Sequence, residues 1–62
     1  MSDLNKIVIE IKKKMADNSR ELNRVVERID NGEDRDETWD LYHFLRGKNK
    51  AYSQVIEELR YY

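Results

Sequence analysis

The chain has 62 residues, of which 40% are charged, with a formal net charge of −1 and no cysteine. This length allows one small domain, residues 1–62, and the missing cysteine excludes disulfides and thiolate metal sites. No apolar run approaches the roughly 18 residues of a membrane span, and residues 1–6 lack the pattern of a signal peptide. We therefore expect a cytoplasmic protein with no membrane partner.

The first predicted element is a helix over about residues 3–30. Its apolar residues follow the alternating spacing of four and three that is typical of a heptad stripe, interrupted once by Asn18. The stripe comprises Leu4, Val8, Ile11, Met15, Leu22, Val25 and Ile29. Residues 7–11 also alternate like a β-strand and are rich in β-branched side chains. A lone strand would find no partner except another copy of itself, so both interpretations stay open with the helix preferred.

The predicted turn spans residues 31–35. Gly32 follows Asn31, and a glycine can take the left-handed conformation that ends a helix. Acidic residues follow at once, and Asp34 paired with Glu37, or Asp36 alone, is predicted to cap a second helix.

The second predicted helix covers about residues 36–61. Its stripe has the same spacing, is interrupted at Lys48, and comprises Leu41, Leu45, Tyr52, Val55 and Leu59. Folding the chain at residues 32–33 brings Asn18 opposite Lys48, which predicts a polar layer that fixes register. The alternative is that both residues lie at the solvent margin of an imperfect stripe. Gly47 lies in the middle of this helix, where it marks a bend or the close approach of another backbone.

The sequence therefore predicts an all-α fold, an antiparallel two-helix hairpin. A domain this small buries only about 60% of its unfolded surface. Two helices side by side leave one flank of each stripe uncovered. We expect the chain to be its own partner, as a homodimer that forms a four-helix bundle with both stripes in the oligomer core.

Groups for catalysis or metal binding are scarce. His43 is the single histidine, and hairpin pairing places it near Leu22 rather than beside a serine. The acidic run at residues 30–40 fails the ligand spacing of a calcium loop, because its third position from Asp30 is Gly32. We expect no catalytic residue, no metal site, no cofactor and no enzymatic activity.

Two surfaces are candidates for binding. Residues 29–40 carry six acids against one arginine, and aromatic residues lie near both ends of the second helix. The predicted protein-binding residues are Glu33, Asp34, Asp36, Trp39, Tyr61 and Tyr62, although Trp39 could instead cap the core and the tyrosines could pack within the bundle. A basic belt at mid-height is the alternative surface, with predicted nucleic-acid contacts at Lys13, Arg20, Arg24, Arg46 and Lys50. Alternatively, these basic residues form salt bridges with nearby acids on a solvent-exposed face and bind no partner.

In length, central turn and heptad layout the chain resembles the Rop family of RNA-binding hairpins, which dimerise into four-helix bundles. The resemblance covers the architecture and no sequence motif, so it assigns no RNA-contacting residue. The preferred function is a small non-enzymatic interaction or regulatory protein that binds another protein as a hairpin oligomer. The alternative is a dimeric RNA-binding hairpin.

Overall fold

The computed structural model describes residues 3–61 and contains two α-helices in contact, α1 at Asp3–Asp30 and α2 at Asp36–Leu59. They run antiparallel and form a rod of 46 × 16 × 13 Å. The predicted all-helical hairpin is confirmed. The second helix was predicted to reach residue 61 and ends two residues earlier, and Tyr62 lies outside the described residues.

The segment with the strand-like pattern belongs to α1, and no strand occurs in residues 3–61. Val8 and Ile11 are half-buried, whereas Ile7 and Ile9 are exposed. A helix brings residues three and four apart onto one face, so Val8 and Ile11 join the stripe begun by Leu4. A strand would instead have needed a partner for its backbone groups.

A left-handed glycine ends α1. Gly32 has a φ of 96°, and its N–H donates to the Ile29 carbonyl at 3.0 Å while the Glu33 N–H donates to the Arg28 carbonyl at 3.0 Å. These two bonds form the Schellman motif, which satisfies carbonyls that the helix end would leave unpaired. The side chains of Arg28 and Glu33, which flank the motif, form an ion pair.

The start of α2 differs from the predicted cap. Arg35 is the N-cap residue, with extended backbone and no side-chain hydrogen bond to the helix. Asp34 does not cap the helix, because its carboxylate accepts a hydrogen bond of 2.5 Å from the Trp39 indole N–H. Asp36 lies inside the first turn with Glu37, where acids interact favourably with the helix dipole.

The face of α2 that meets α1 departs from the predicted stripe at two places. Ile56 is buried and Val55 is 41% exposed, and likewise Asn49 is half-buried while Lys48 is exposed. Lys48 or Asn49, and likewise Val55 or Ile56, would each continue the alternating spacing of three and four residues. A straight helix drifts by about 20° per heptad relative to a strict seven-residue repeat, and this drift favours a change of position along the helix. At these two positions the residue that faces α1 is therefore the one after the predicted residue, while Tyr52 and Leu59 stay half-buried as predicted.

One polar layer crosses the hairpin at mid-height. Asn18 is 4% exposed, and its amide N–H group donates to the Leu45 carbonyl at 2.8 Å and to Asn49 Oδ1 at 2.7 Å. The Asn49 amide in turn donates to Ser19 Oγ at 3.0 Å. Lys48, predicted to share this layer, instead places its Nζ 5.5 Å from the centre of the exposed Phe44 ring. The short amide of Asn49 reaches Asn18 without carrying a charge into the contact, which explains the exchange.

Candidate interaction surfaces

The contact between the helices leaves much of both apolar stripes within reach of water. Val25, Leu45 and Ile56 are the buried apolar side chains among residues 3–61. The other stripe residues that touch the contact are half-buried, namely Leu4, Val8, Ile11, Met15, Leu22, Ile29, Leu41, Tyr52 and Leu59.

The solvent-exposed area of the chain can be compared with the area expected for a compact protein of the same mass. The chain exposes 5110 Å², whereas a compact protein of 7.5 kDa exposes about 4,250 Å². The excess of about 850 Å² matches the roughly 800 Å² that each partner buries in a standard stable interface. An elongated rod exposes more area than a compact protein of the same mass, so this excess reflects shape as well as incomplete burial.

Three of the exposed large apolar residues share one side of the rod with Ala51, and we call this surface the apolar flank, defined as Ile7, Phe44, Ala51 and Val55. The other exposed large apolar residues, Ile9, Val26, Trp39 and Tyr61, lie outside it. Phe44 is 61% exposed, Ile7 49% and Val55 41%. Ser19 and Asn49 hydrogen-bond on the other side of the helix contact. Helical periodicity places Ile7 about 120° around α1 from Ser19, and Phe44 about 140° around α2 from Asn49. Both residues therefore lie on the side away from that hydrogen bond.

The turn end carries a second surface, the tip groove, lined by Val26, Ile29, Asp30, Trp39 and Tyr42. Its volume is about 160 Å³. The Trp39 ring meets the Tyr42 ring edge-on at 5.6 Å between centroids, and Tyr42 meets the His43 ring at 5.3 Å. Trp39 is 37% exposed and forms one wall of this open groove.

The acidic residues around the tip differ in their surroundings. Glu33 forms an ion pair with Arg28, and the hydrogen bond from the Arg28 side chain is the main reason that the pKa of Glu33 lies below its ordinary value. The charges of Arg28 and Arg35 lower the pKa further, and partial desolvation opposes them. Asp34 accepts the Trp39 hydrogen bond, and Asp36 is exposed. Of the predicted protein-binding residues, the structure therefore brings Asp34 and Trp39 into direct contact.

The predicted basic belt is exposed along its length, at Lys13, Arg20, Arg24, Arg46 and Lys50. Arg20 forms an ion pair with Asp17 one turn earlier on α1. The Arg46 guanidinium lies 5.9 Å from the centre of the Tyr42 ring. Two of the five cations therefore already have partners within their own helix.

The open end of the rod holds a shallow groove of about 330 Å³ between the two helices. Its lining combines apolar and polar residues, namely Leu4, Asn5, Val8, Lys12, Ile56, Leu59 and Arg60. Tyr61 is 83% exposed and so does not fill this groove. Tyr52 is half-buried in the helix contact. Within the hairpin, Tyr52 thus packs at the helix contact and Tyr61 does not. Packing of Tyr61 in a four-helix bundle stays a prediction.

The groups that could carry chemistry are dispersed over the described residues. The hydroxyl of Ser19 accepts from Asn49, and that of Ser53 lies 3.9 Å from the Met15 sulfur. His43 is exposed and contacts the rings of Trp39 and Tyr42. Within residues 3–61 no three acids or histidines converge as metal ligands would, and neither helix there is apolar over a length that would cross a bilayer.

Comparison of the chain with protein-family models, with curated proteins and with solved structures returns no match.

Proposed function

We propose that this protein is a small non-enzymatic interaction protein of the cytoplasm, which pairs with a second copy of itself and acts by binding another protein. The observation that supports it is the shortfall in burial along the helix contact. Three buried apolar side chains among residues 3–61 are few, and a core in a domain of this size rarely supplies more than roughly 3–5 kcal/mol. Cysteine is absent, so a partner subunit is the remaining source of stability.

In the proposed dimer the apolar flanks of two hairpins face each other. Phe44 contributes most, because it is the most exposed large apolar side chain of this flank and aromatic rings dominate interface energetics. Lys48 lies beside Phe44 on the same flank, and its long aliphatic stem covers apolar surface while its charged end reaches water. A twofold arrangement gives a four-helix bundle.

Sedimentation equilibrium over a range of concentrations tests the pairing. We expect the wild-type chain to approach twice its mass of 7.5 kDa, and we expect Phe44→Lys to raise the dimer dissociation constant about tenfold or more. Gln54→Lys is the matched control, since it adds the same charge at another exposed position of α2, and it should change the constant less than about twofold. Circular dichroism checks that both variants remain helical.

A wild-type chain that sediments as a monomer at every concentration would contradict the proposed pairing of two hairpins. Equal weakening by the two lysine variants would show that added charge, and not the apolar flank, controls association. Binding of mixed RNA oligonucleotides with a steep dependence on salt would favour the basic belt as the functional surface instead.

A further inference from the structure

The tip groove combines features that suit one particular kind of side chain. Its volume of about 160 Å³ corresponds to about five water molecules at roughly 30 Å³ each, and drug-sized ligands take about 300 Å³ or more. One long side chain therefore fits. The walls are the apolar side chains of Val26 and Ile29 and the rings of Trp39 and Tyr42, and one carboxylate, Asp30, completes the lining.

An apolar groove with a carboxylate in its lining is complementary to a side chain with an aliphatic stem and a cationic end. The aromatic walls add to this preference, because the faces of tryptophan and tyrosine rings attract cations. The hairpin already contains one such contact, since the Arg46 guanidinium lies 5.9 Å from the centre of the Tyr42 ring. Arginine suits the groove better than lysine, because its planar group stacks on rings and is less strongly hydrated.

Two observations support the view that the groove can take a ligand at little cost. The hydrogen bond from the Trp39 indole to Asp34 holds the ring in place, so its ordering costs little on binding. Asp30 is the last residue of α1, where the helix dipole disfavours a carboxylate. Helix stability therefore does not account for an acid at this position.

The surrounding charge selects the partner. Residues 29–40 carry six acids and one arginine, a formal balance of −5, in a chain whose net charge is −1. This surface attracts basic segments and repels nucleic acid.

We infer that the tip groove binds an arginine side chain presented by a basic segment of another protein. This inference deepens the proposed function and rests on its claim that the chain binds a protein partner. The guanidinium lies against Trp39 and pairs with Asp30, and the stem packs on Val26 and Ile29. The other acids of the tip steer the basic segment to the groove.

Trp39 is the single tryptophan of the chain, so its fluorescence reports directly on the groove. The probe is a twelve-residue peptide of alternating arginine and alanine, titrated into the full-length chain at low salt. Matching peptides with lysine or glutamate in place of arginine test the chemistry. We expect the arginine peptide to change the Trp39 emission and to bind more tightly than the lysine peptide, and we expect no response to the glutamate peptide.

A pair of variants separates the groove from general charge attraction. Asp30→Asn and Glu37→Gln each remove one acid from the tip, but only Asp30 lines the groove. We expect Asp30→Asn to weaken binding of the arginine peptide about fivefold to tenfold, and Glu37→Gln less than about twofold. Asp30→Asn removes an acid from a helix C-terminus and so should leave the hairpin folded, which circular dichroism checks.

Several results would overturn the inference. They are no response to the arginine peptide at low salt, equal weakening by both variants, or a response to the glutamate peptide. A shift of Trp39 emission with protein concentration alone would assign the groove to a second copy of the chain. Sedimentation is a separate readout, because a monomer that binds the arginine peptide contradicts only the pairing, and a dimer that ignores it contradicts only the groove.

Discussion

Asn18 offers the sharpest test of how the hairpin is held together. Its amide is buried and donates two hydrogen bonds, to the Leu45 carbonyl and to Asn49, yet its Oδ1 atom is buried with no donor among residues 3–61. Each hydrogen bond contributes about 1 kcal/mol net, and an unsatisfied buried polar atom costs about 1–3 kcal/mol. The two effects nearly cancel, so the layer contributes little to stability.

Replacement of Asn18 by leucine removes both effects and buries additional apolar surface. Full burial of a leucine side chain contributes about 1.5–3 kcal/mol, from which imperfect fit and the lost contact to Asn49 subtract. We expect Asn18→Leu to raise the free energy of unfolding by about 1–2 kcal/mol, because the added apolar burial outweighs the nearly balanced hydrogen bonds of Asn18. Urea unfolding followed by circular dichroism at fixed protein concentration measures the change.

Asn23→Leu is the matched control for this substitution. Residue 23 is exposed on the same helix, so the control reports the gain in helix propensity without the buried layer. A second expectation concerns specificity, since a polar layer fixes register, and native mass spectrometry should detect a wider range of oligomers for Asn18→Leu. Destabilisation by more than about 1 kcal/mol would refute the reasoning, because the amide network would then be a net source of stability.

Three further predictions concern the glycines and the ion pair at the turn. Gly32→Ala should lower the free energy of unfolding by about 1–2 kcal/mol in chemical denaturation, because its φ of 96° strains any residue with a Cβ; no change would show that the turn relaxes at no cost. Gly47→Ala should raise it by about 0.5–1 kcal/mol, because a Cβ at this helical position meets nothing within 4 Å; weaker dimerisation would instead show that a second backbone packs there. The pKa of Glu33 is lowered in the folded chain, so its ion pair with Arg28 stabilises the fold above the ordinary glutamate pKa of about 4.3 and the effect is lost as the pH falls through the lowered value. Urea unfolding between neutral and acidic pH should therefore show a shallower acid loss for Glu33→Gln, and identical pH profiles would contradict the assignment.

The elements of the hairpin were accessible from the sequence because each depends on local patterns. Gly32 after Asn31 predicted the end of the first helix, and the structure shows the left-handed glycine with its two backbone hydrogen bonds. The strand-like alternation of residues 7–11 was resolved by the stripe in which Val8 and Ile11 take part. Helical periodicity over a long segment outweighed the β-propensity of five residues.

The facing side of α2 was less accessible. Lys48 and Asn49, like Val55 and Ile56, are adjacent, and both choices satisfy a spacing of three and four. The structure turns Asn49 and Ile56 toward α1. The choice depends on helix rotation and on whether a side chain of α1 offers a hydrogen bond, and Asn18 does so. The spacing of apolar residues along one helix gives neither the rotation of that helix nor the hydrogen-bond partners on the other helix.

The tip groove was harder to predict from the sequence than either helix. The sequence indicates Trp39 and Asp34 as candidates, but the groove also needs Val26, Ile29 and Tyr42. Ile29 belongs to the predicted apolar stripe, and nothing in the sequence pattern marks Tyr42. These residues meet Trp39 only because the turn brings the end of α1 beside the start of α2. The one available signal was the position of an aromatic residue within one turn of the predicted start of a helix.

In the proposed dimer, the fold draws its stability from a second copy of the chain. Thermal unfolding followed by circular dichroism, over about a hundredfold range of protein concentration, tests it most directly. Association of folded chains makes the midpoint of unfolding depend on concentration, so we predict that the midpoint rises steadily as the protein is concentrated. A midpoint that stays constant over the whole range would show that the lone hairpin supplies its own stability, and would contradict the account.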